Sequence, residues 1–256
     1  MEISKYAIYN QKQIKGFEIM EDIVVLIPTF NPDVEIMRKF IIELTAKFKN
    51  VVIVNDGCES RYNDFFVELK KLNIPIVHHE VNKGKGRAIK TGFEYILKNY
   101  KNVIGTITAD CDGQHCVQDI EKCANQLLKT PEALIVGCRN FDEKQVPIKR
   151  KIANKITRQV FYFFVGTKIS DTQTGLRGFG LKLMEQFLNT AGERYEYETN
   201  MLIDCKTYGI KIKEVPIETI YIDKNETSHF NPIRDSFMIY KLFFKYKFSR
   251  KQKKRG

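Results

Sequence analysis

From residue 23 onward, short apolar runs alternate with segments of helical spacing. Ile23–Ile27 is followed by a helical pattern over Val34–Phe48, Val51–Val54 by one over Arg61–Leu72, and Ile74–His78 by one over Gly86–Tyr100. Val103–Thr108, a helix over Val117–Leu128 and a run over Ala133–Gly137 continue the series. Runs of four to six apolar residues at this pitch are buried strands, and the alternation predicts βαβ units. The expected fold class is therefore α/β, a single domain with a mainly parallel central sheet flanked by helices. Beyond residue 139 the rhythm changes. A helix is expected over Lys149–Val165, with Ile152, Ile156, Gln159 and Phe163 on one stripe, then a polar, turn-rich stretch over Ser170–Gly180. A helix at Tyr197–Tyr208 and a strand at Ile212–Ile222 follow. With no internal repeat and no Gly/Ser/Pro linker, the chain divides into an N-terminal extension (1–22), one domain (23–232) and an amphipathic basic segment (233–256).

The 256 residues are 43% hydrophobic and 29% charged, which excludes a mainly disordered chain. No stretch reaches the roughly 18 uncharged apolar residues of a membrane span, and the charged N-terminus lacks the apolar core of an export signal. The six cysteines form no C-x-x-C pair; they read as reduced, mostly buried thiols of a cytoplasmic protein. The net charge is +11, but residues 241–256 carry eight basic side chains and no acid, leaving +3 for the rest.

Ligands of parallel sheets bind outside the carboxyl ends of the strands, and the polar motifs fall there. Asp110-Cys111-Asp112-Gly113-Gln114 offers two carboxylates two residues apart and an amide oxygen, a donor set for a hard divalent cation. A calcium loop is the competing reading. Its twelfth position matches at Glu121, but its sixth is His115 rather than glycine, and a strand rather than a helix precedes it. Asn82-Lys83-Gly84-Lys85-Gly86 opens a helix as a glycine- and lysine-rich turn that suits an anion, and it is neither a Walker A nor a dinucleotide fingerprint. Asp171 to Phe179 packs acid, amide, hydroxyl and guanidinium together, and Arg139, Arg150 and Arg158 flank that half. Histidine spacing supports no zinc protease, and no G-x-S-x-G elbow is present.

These motifs together resemble the family-2 glycosyltransferases of GT-A fold, in the branch of dolichol-phosphate mannose synthase and the bacterial polyprenyl-phosphate glycosyltransferases. The likeness is carried by P-T-F-N at Pro28–Asn31, N-D-G at Asn55–Gly57 and N-K-G-K-G-R-A at Asn82–Ala88. D-C-D-G-Q-H at Asp110–His115, G-C-R at Gly137–Arg139 and D-T-Q-T-G-L-R-G-F at Asp171–Phe179 continue it. Y-E-Y-E-T-N-M-L at Tyr195–Leu202, E-V-P-I at Glu214–Ile217 and T-S-H-F-N-P at Thr227–Pro232 complete it.

The resemblance implies an inverting hexosyltransferase that takes a nucleotide sugar, UDP-linked in preference, and a polyprenyl phosphate acceptor. By the same resemblance, Pro28, Thr29, Asn31, Asn55, Asp56, Asn82 and Lys85 would line the nucleotide. Asp110, Asp112 and Gln114 would hold Mg2+ or Mn2+ against the diphosphate. Arg139, Arg150 and Arg177 would gather at the phosphates, with Asp171 near the acceptor as base or orienting acid. Two positions depart from the pattern: Asn55 stands where the family usually has Asp, and Asn231 where an Arg is frequent, with Arg234 close enough to replace it.

In Ile233–Phe248, Ile233, Phe237, Tyr240, Phe244 and Phe248 recur at helical spacing beside lysines, followed by a polybasic end. Such a segment suits the surface of an anionic membrane, and equally a helix docked on its own domain. The expectation is a peripheral enzyme on the inner face of the cell membrane, with no nucleic-acid partner. The alternatives are a glycan hydroxyl as acceptor, a basic nucleic-acid binder, or a scaffold without catalysis.

Overall fold

The hydrophobic alternation resolves into a seven-stranded sheet. In the computed structural model, residues 19–141 and 148–218 are described. The strands are β1 (Met20–Thr29), β2 (Phe48–Asp56), β3 (Ile76–His79), β4 (Gly105–Thr108), β5 (Leu134–Arg139), β6 (Arg177–Gly180) and β7 (Ile212–Ile217). The helices are α1 (Val34–Thr45), α2 (Asn63–Lys70), α3 (Lys85–Asn99), α4 (Val117–Lys129), α5 (Ile148–Val165), α6 (Leu181–Phe187) and α7 (Glu196–Tyr208). The strand order is β3-β2-β1-β4-β6-β5-β7. Six strands run in one direction; β6 is antiparallel to both β4 and β5.

Strand residues point alternately to the two faces, and β1 buries both. Ile23, Val25 and Ile27 enter a core with Met37 and Ile41 of α1, Phe66 of α2 and Ile120 of α4. Val24 and Leu26 enter a second core with Phe93 of α3, Phe161 of α5, Phe187 of α6 and Met201 of α7. Each such side chain contributes about 1.5–3 kcal/mol relative to exposure, so strand register is fixed from both sides. The Asp33 carboxylate caps α1 by accepting from the Glu35 and Ile36 amides, both at 3.0 Å.

The predicted elements are found with shifted ends, and two were not foreseen. The stretch expected to be turn-rich up to Gly180 ends in β6, Arg-Gly-Phe-Gly, and α6 follows it directly. Four residues containing two glycines carry no strand pattern. The glycines serve close packing: a Cβ on Gly178 would stand 2.8 Å from Ile107 Cδ1, and one on Gly180 would stand 2.1 Å from the Pro131 carbonyl oxygen. The expected strand over Ile212–Ile222 is described as far as Ile217. Residues 1–18 of the N-terminal extension, the segment 233–256 and the Thr227–Pro232 motif lie outside the described residues.

Candidate active site

Parallel strands bring their carboxyl ends to one edge, and β1 sits where the connections switch direction, with β2 on one side and β4 on the other. A cleft forms at such a point. Because β6 runs the opposite way, its amino end meets the carboxyl ends of β4 and β5. Thr108 and Val136 both pair with Arg177. The segment Asp171–Gly175 is thereby delivered beside Asp110, and the Thr108 hydroxyl fastens it by donating to the Gly175 carbonyl at 2.8 Å.

At the centre stands a charge cluster. Lys85, the first residue of α3, places Nζ 2.7 Å from Oδ1 of Asp110 and 3.1 Å from Oε2 of Glu198. Burial works against both charges of the Lys85–Asp110 pair. For Asp110, Lys85 and then His115 outweigh burial and hold the carboxyl well below the usual carboxylate range; for Lys85, Asp110 and then Glu198 raise the ammonium. Burial, and next the charge of Asp110, pushes Asp112 upward. One Asp112 oxygen accepts from the Gln114 amide at 3.0 Å. Two carboxylates and an amide side chain at one strand end are hard oxygen donors. Among the described residues, no three His, Cys, Asp or Glu side chains converge into a closed metal cage. The donor chemistry fits an open divalent-cation site completed by substrate oxygens and water.

Next to this cluster, the Arg139 guanidinium donates through Nε and Nη2 to Asp171, at 2.6 and 3.2 Å. Asp171 is fully buried and also accepts from the Gln173 amide at 3.0 Å. Burial opposes the Arg139 charge, but Asp171, with Asp110 and Asp112 behind it, raises its pKa. The guanidinium also lies over the Phe141 ring, 5.2 Å from its centroid.

The expected nucleotide side is built from interlocked turns. Pro28 and Thr29 end β1 opposite Val54 and Asn55, and the Thr29 hydroxyl, 1% exposed, donates back to the Ile27 carbonyl. Asn31 takes a left-handed φ of 44°, and its side chain exchanges hydrogen bonds with the Glu59 side chain and amide at 2.9 and 3.0 Å. Asn55 accepts from the Cys58 amide at 2.8 Å and donates to His78 Nδ1 at 3.1 Å. Asp56, expected at the nucleoside, is 2% exposed, and its carboxylate receives three protein donors. These are the Lys83 and Gly84 amides at 2.9 and 2.8 Å and His79 Nδ1 at 2.6 Å. Its evident work is to shape the Asn82–Gly86 turn. Asn82 is half-buried in that turn, whose backbone passes 2.4 Å from where a Cβ on Gly57 would sit.

Arg177 was expected at the phosphates, and the structure places it elsewhere. It is 1% exposed, and its guanidinium donates to the carbonyls of Thr174, Glu198 and Thr172 at 3.1, 2.5 and 3.3 Å. It holds the floor under the Lys85 cluster rather than facing ligand. Arg150 falls in the first turn of α5, its side chain outside the described residues. The cysteines beside the site stay protonated: burial pushes Cys58 up to about 11 and Cys111 up to about 12.

Three contributors were not singled out from sequence. Glu198 grips Lys85 while its Oε1 is buried without a partner; two acids in Y-E-Y-E were the available signal. Glu193 clamps the start of α3. Its carbonyl accepts from the Arg87 amide at 2.9 Å, and its carboxylate takes Arg87 Nε and Nη2 at 2.6 and 2.9 Å and Lys90 Nζ at 3.1 Å. Gly175 makes room for Asp110, since a Cβ there would stand 2.3 Å from Oδ2. Gly175→Ala is therefore expected to displace Asp110 and lower kcat/KM about 100-fold, the scale of a small misplacement of a reacting group. The far-UV spectrum should stay native, and steady-state kinetics check the result.

A profile of glycosyl transferase family 2 matches residues 24–189. The chain is 30% identical over 226 residues to an uncharacterised protein of Methanocaldococcus jannaschii, covering 87% of this chain and 91% of that one. It is 28% identical over 222 residues to the UDP-N-acetylglucosamine–dolichyl-phosphate N-acetylglucosaminyltransferase of Methanococcus voltae, covering 78% and 86% of the two chains. A solved structure of glucosyl-3-phosphoglycerate synthase from Mycobacterium tuberculosis, with Mn2+, UDP and phosphoglyceric acid, matches with a TM-score of 0.64. That match has 13% identity and covers 89% of this chain and 78% of that one, a likeness of fold. The matched span runs from β1 through α6 and takes in the whole edge that carries Asp56, Asp110, Asp112, Arg139 and Asp171. The chain belongs to glycosyl transferase family 2 and is a glycosyltransferase.

Proposed function

We propose that this chain moves a sugar, with inversion, from a nucleoside-diphosphate sugar, UDP-linked in preference, to a polyprenyl phosphate at the inner membrane face. The observation that carries the choice of acceptor is the state of Asp171. It is fully buried and bound through both oxygens by Arg139. A carboxylate so engaged orients the arginine and is poorly placed to take a proton from a sugar hydroxyl. A phosphate monoester needs no such base, because it is already largely ionised near neutral pH, with a second pKa of about 6. The Methanococcus voltae relative, named for transfer to dolichyl phosphate, supports the same reading.

In this mechanism Asp110, Asp112 and Gln114 would hold Mg2+ or Mn2+, which would supply Lewis-acid stabilisation of the departing diphosphate. Lys85 keeps Asp110 ionised and in place, while Glu198 holds Lys85. The Asn82–Gly86 turn presents the amino end of α3, a site suited to anionic oxygen. Arg139, fixed by Asp171, offers positive charge to the phosphate oxygens. The acceptor oxygen attacks the anomeric carbon as the bond to the diphosphate breaks, so no covalent enzyme intermediate is required.

The test is a thermal-shift screen of nucleotide sugars with manganese, then transfer to a short-chain polyprenyl phosphate by the parent and by Asp171→Asn. Asp171→Asn is expected to retain transfer within about tenfold, because an asparagine still accepts from Arg139 and general-base catalysis contributes roughly 100-fold or more where it operates. Abolition in Asp171→Asn, with stability and manganese-dependent UDP binding intact, would favour a glycan hydroxyl as acceptor.

A further inference from the structure

Glu214 stands exposed on β7, the edge strand of the sheet, yet protein donors occupy both oxygens of its carboxylate. Oε1 accepts from the Ser170 amide and from the Cys138 thiol at 3.3 Å, nearer than the Val136 carbonyl at 3.6 Å. Oε2 accepts from the Ser170 hydroxyl at 2.9 Å. Burial, and next the Glu214 charge, raises the Cys138 thiol, so it keeps the proton that it donates. The two partners are consecutive with the ion pair of the site: Cys138 precedes Arg139, and Ser170 precedes Asp171. Val136 lies opposite Glu214 in the parallel pairing of β5 with β7, and Arg139 opposite Ile217. Glu214 therefore sits behind the carboxyl edge, on the path of the segment that leaves α5, enters the core at Ile169 and delivers Asp171.

We propose that Glu214 is a positioning residue for sugar transfer: one carboxylate holds the neighbours of both Arg139 and Asp171 and so fixes where the guanidinium stands beside the Lys85–Asp110 cluster. An arginine side chain has many rotamers, and its guanidinium stays where its partner keeps it. Here the partner is Asp171, and the contact immediately before Asp171 in the chain is the one from Ser170 to Glu214. A reacting group needs such support to remain in productive geometry. The glutamate of E-V-P-I thereby gains a role that its motif alone did not give. The inference deepens the proposed function and rests on it for the contact between Arg139 and phosphate.

The test joins kinetics to a signal that needs no substrate. In the full chain carrying isotope-labelled arginine, the Arg139 Nε–H resonance, identified by its absence from Arg139→Lys, reports the 2.6 Å bond to Asp171. Glu214→Ala is expected to shift or broaden that resonance. It should also lower kcat for nucleotide release from the sugar donor roughly 10- to 100-fold, the range of a misplaced reacting group. Manganese-dependent nucleotide affinity should stay within about twofold of the parent. Glu214→Gln keeps an oxygen for the Ser170 amide, so it should retain the parental resonance and kcat within about fivefold, the scale of one neutral hydrogen bond. Because Glu214 acts through Arg139, adding Glu214→Ala to Arg139→Lys should lower kcat by no more than about a further threefold. Fully multiplicative losses in that double variant would overturn the proposal, as would an Arg139 resonance unmoved in Glu214→Ala. A lower Tm with parental kcat per nucleotide-binding site would also overturn it and leave Glu214 a structural residue. If Glu214→Ala does not fold, Glu214→Asp, one methylene shorter, must move the same resonance. If the parent releases nucleotide but transfers to no polyprenyl phosphate, these readouts still decide the role of Glu214, and the acceptor assignment alone falls.

Discussion

Asp110→Ala should lower kcat/KM for sugar transfer by a factor on the order of 1000 or more, the scale reached when a preorganised electrostatic contact to a departing oxyanion is lost. The substitution removes one of the two carboxylates at the end of β4 and frees Lys85 to face Glu198 alone. Calorimetry should show UDP affinity that no longer increases with manganese. The same variant carries a pH signature in metal-free protein. Lys85 holds the Asp110 carboxyl below its ordinary value. Stability from that pairing is thus present above the unfolded pKa near 4 and lost as the pH falls through the folded value. The gap in Tm between parent and Asp110→Ala should be widest near neutrality and narrow in acid. A variant that keeps parental turnover with manganese would remove Asp110 from the reaction.

Arg139→Ala should produce the largest loss of stability. It strands the fully buried Asp171 carboxylate with the Gln173 amide as its remaining described donor. Removing one partner of a buried pair costs about 3–5 kcal/mol, a fall in Tm of roughly 10 °C for a chain of this size. Arg139→Lys should lie between parent and Ala, because an ammonium cannot reproduce the two-point contact through Nε and Nη2. Asp171→Asn should cost less than Arg139→Ala, since it leaves no unpaired anion in the core. Thermal melts of the four proteins in one buffer give the ranking; equal melting of Arg139→Ala and the parent would mean that the pair is not buried in solution.

Much of this architecture is legible in the chain because burial on both faces of a parallel strand writes continuous apolar runs. Ile23–Ile27 and Val51–Val54 could be read directly, and so could the metal-type acids placed after Thr108. The reading weakened where geometry replaces periodicity. β6 is Arg-Gly-Phe-Gly, chosen for close approach rather than for an apolar face. Arg177 looked like a phosphate ligand because guanidinium chemistry is the same whether the partner is a ligand or three backbone carbonyls; only its burial separates the two. Asp56 has work that its motif did not announce, since its carboxylate is engaged by Lys83, Gly84 and His79 and so shapes the Asn82–Gly86 turn. Glu198 and Glu193 act across the fold on residues of α3, and separations of that length leave no local pattern.

The Glu193 clamp carries a consequence for how the protein is made. Arg87 and Glu193 are 106 positions apart, and the sheet edge that carries the candidate site is finished by residues from the last quarter of the chain. A nascent chain emerging from the ribosome, where folding proceeds in order of synthesis, displays Asp56, Asp110 and Lys85 well before Glu193 and Glu198 exist to fasten them. The Lys85 cluster and the start of α3 are therefore completed late, after α7 has been translated, and an incomplete product carries Asp56 and Asp110 without the contacts that Glu193 and Glu198 make to α3.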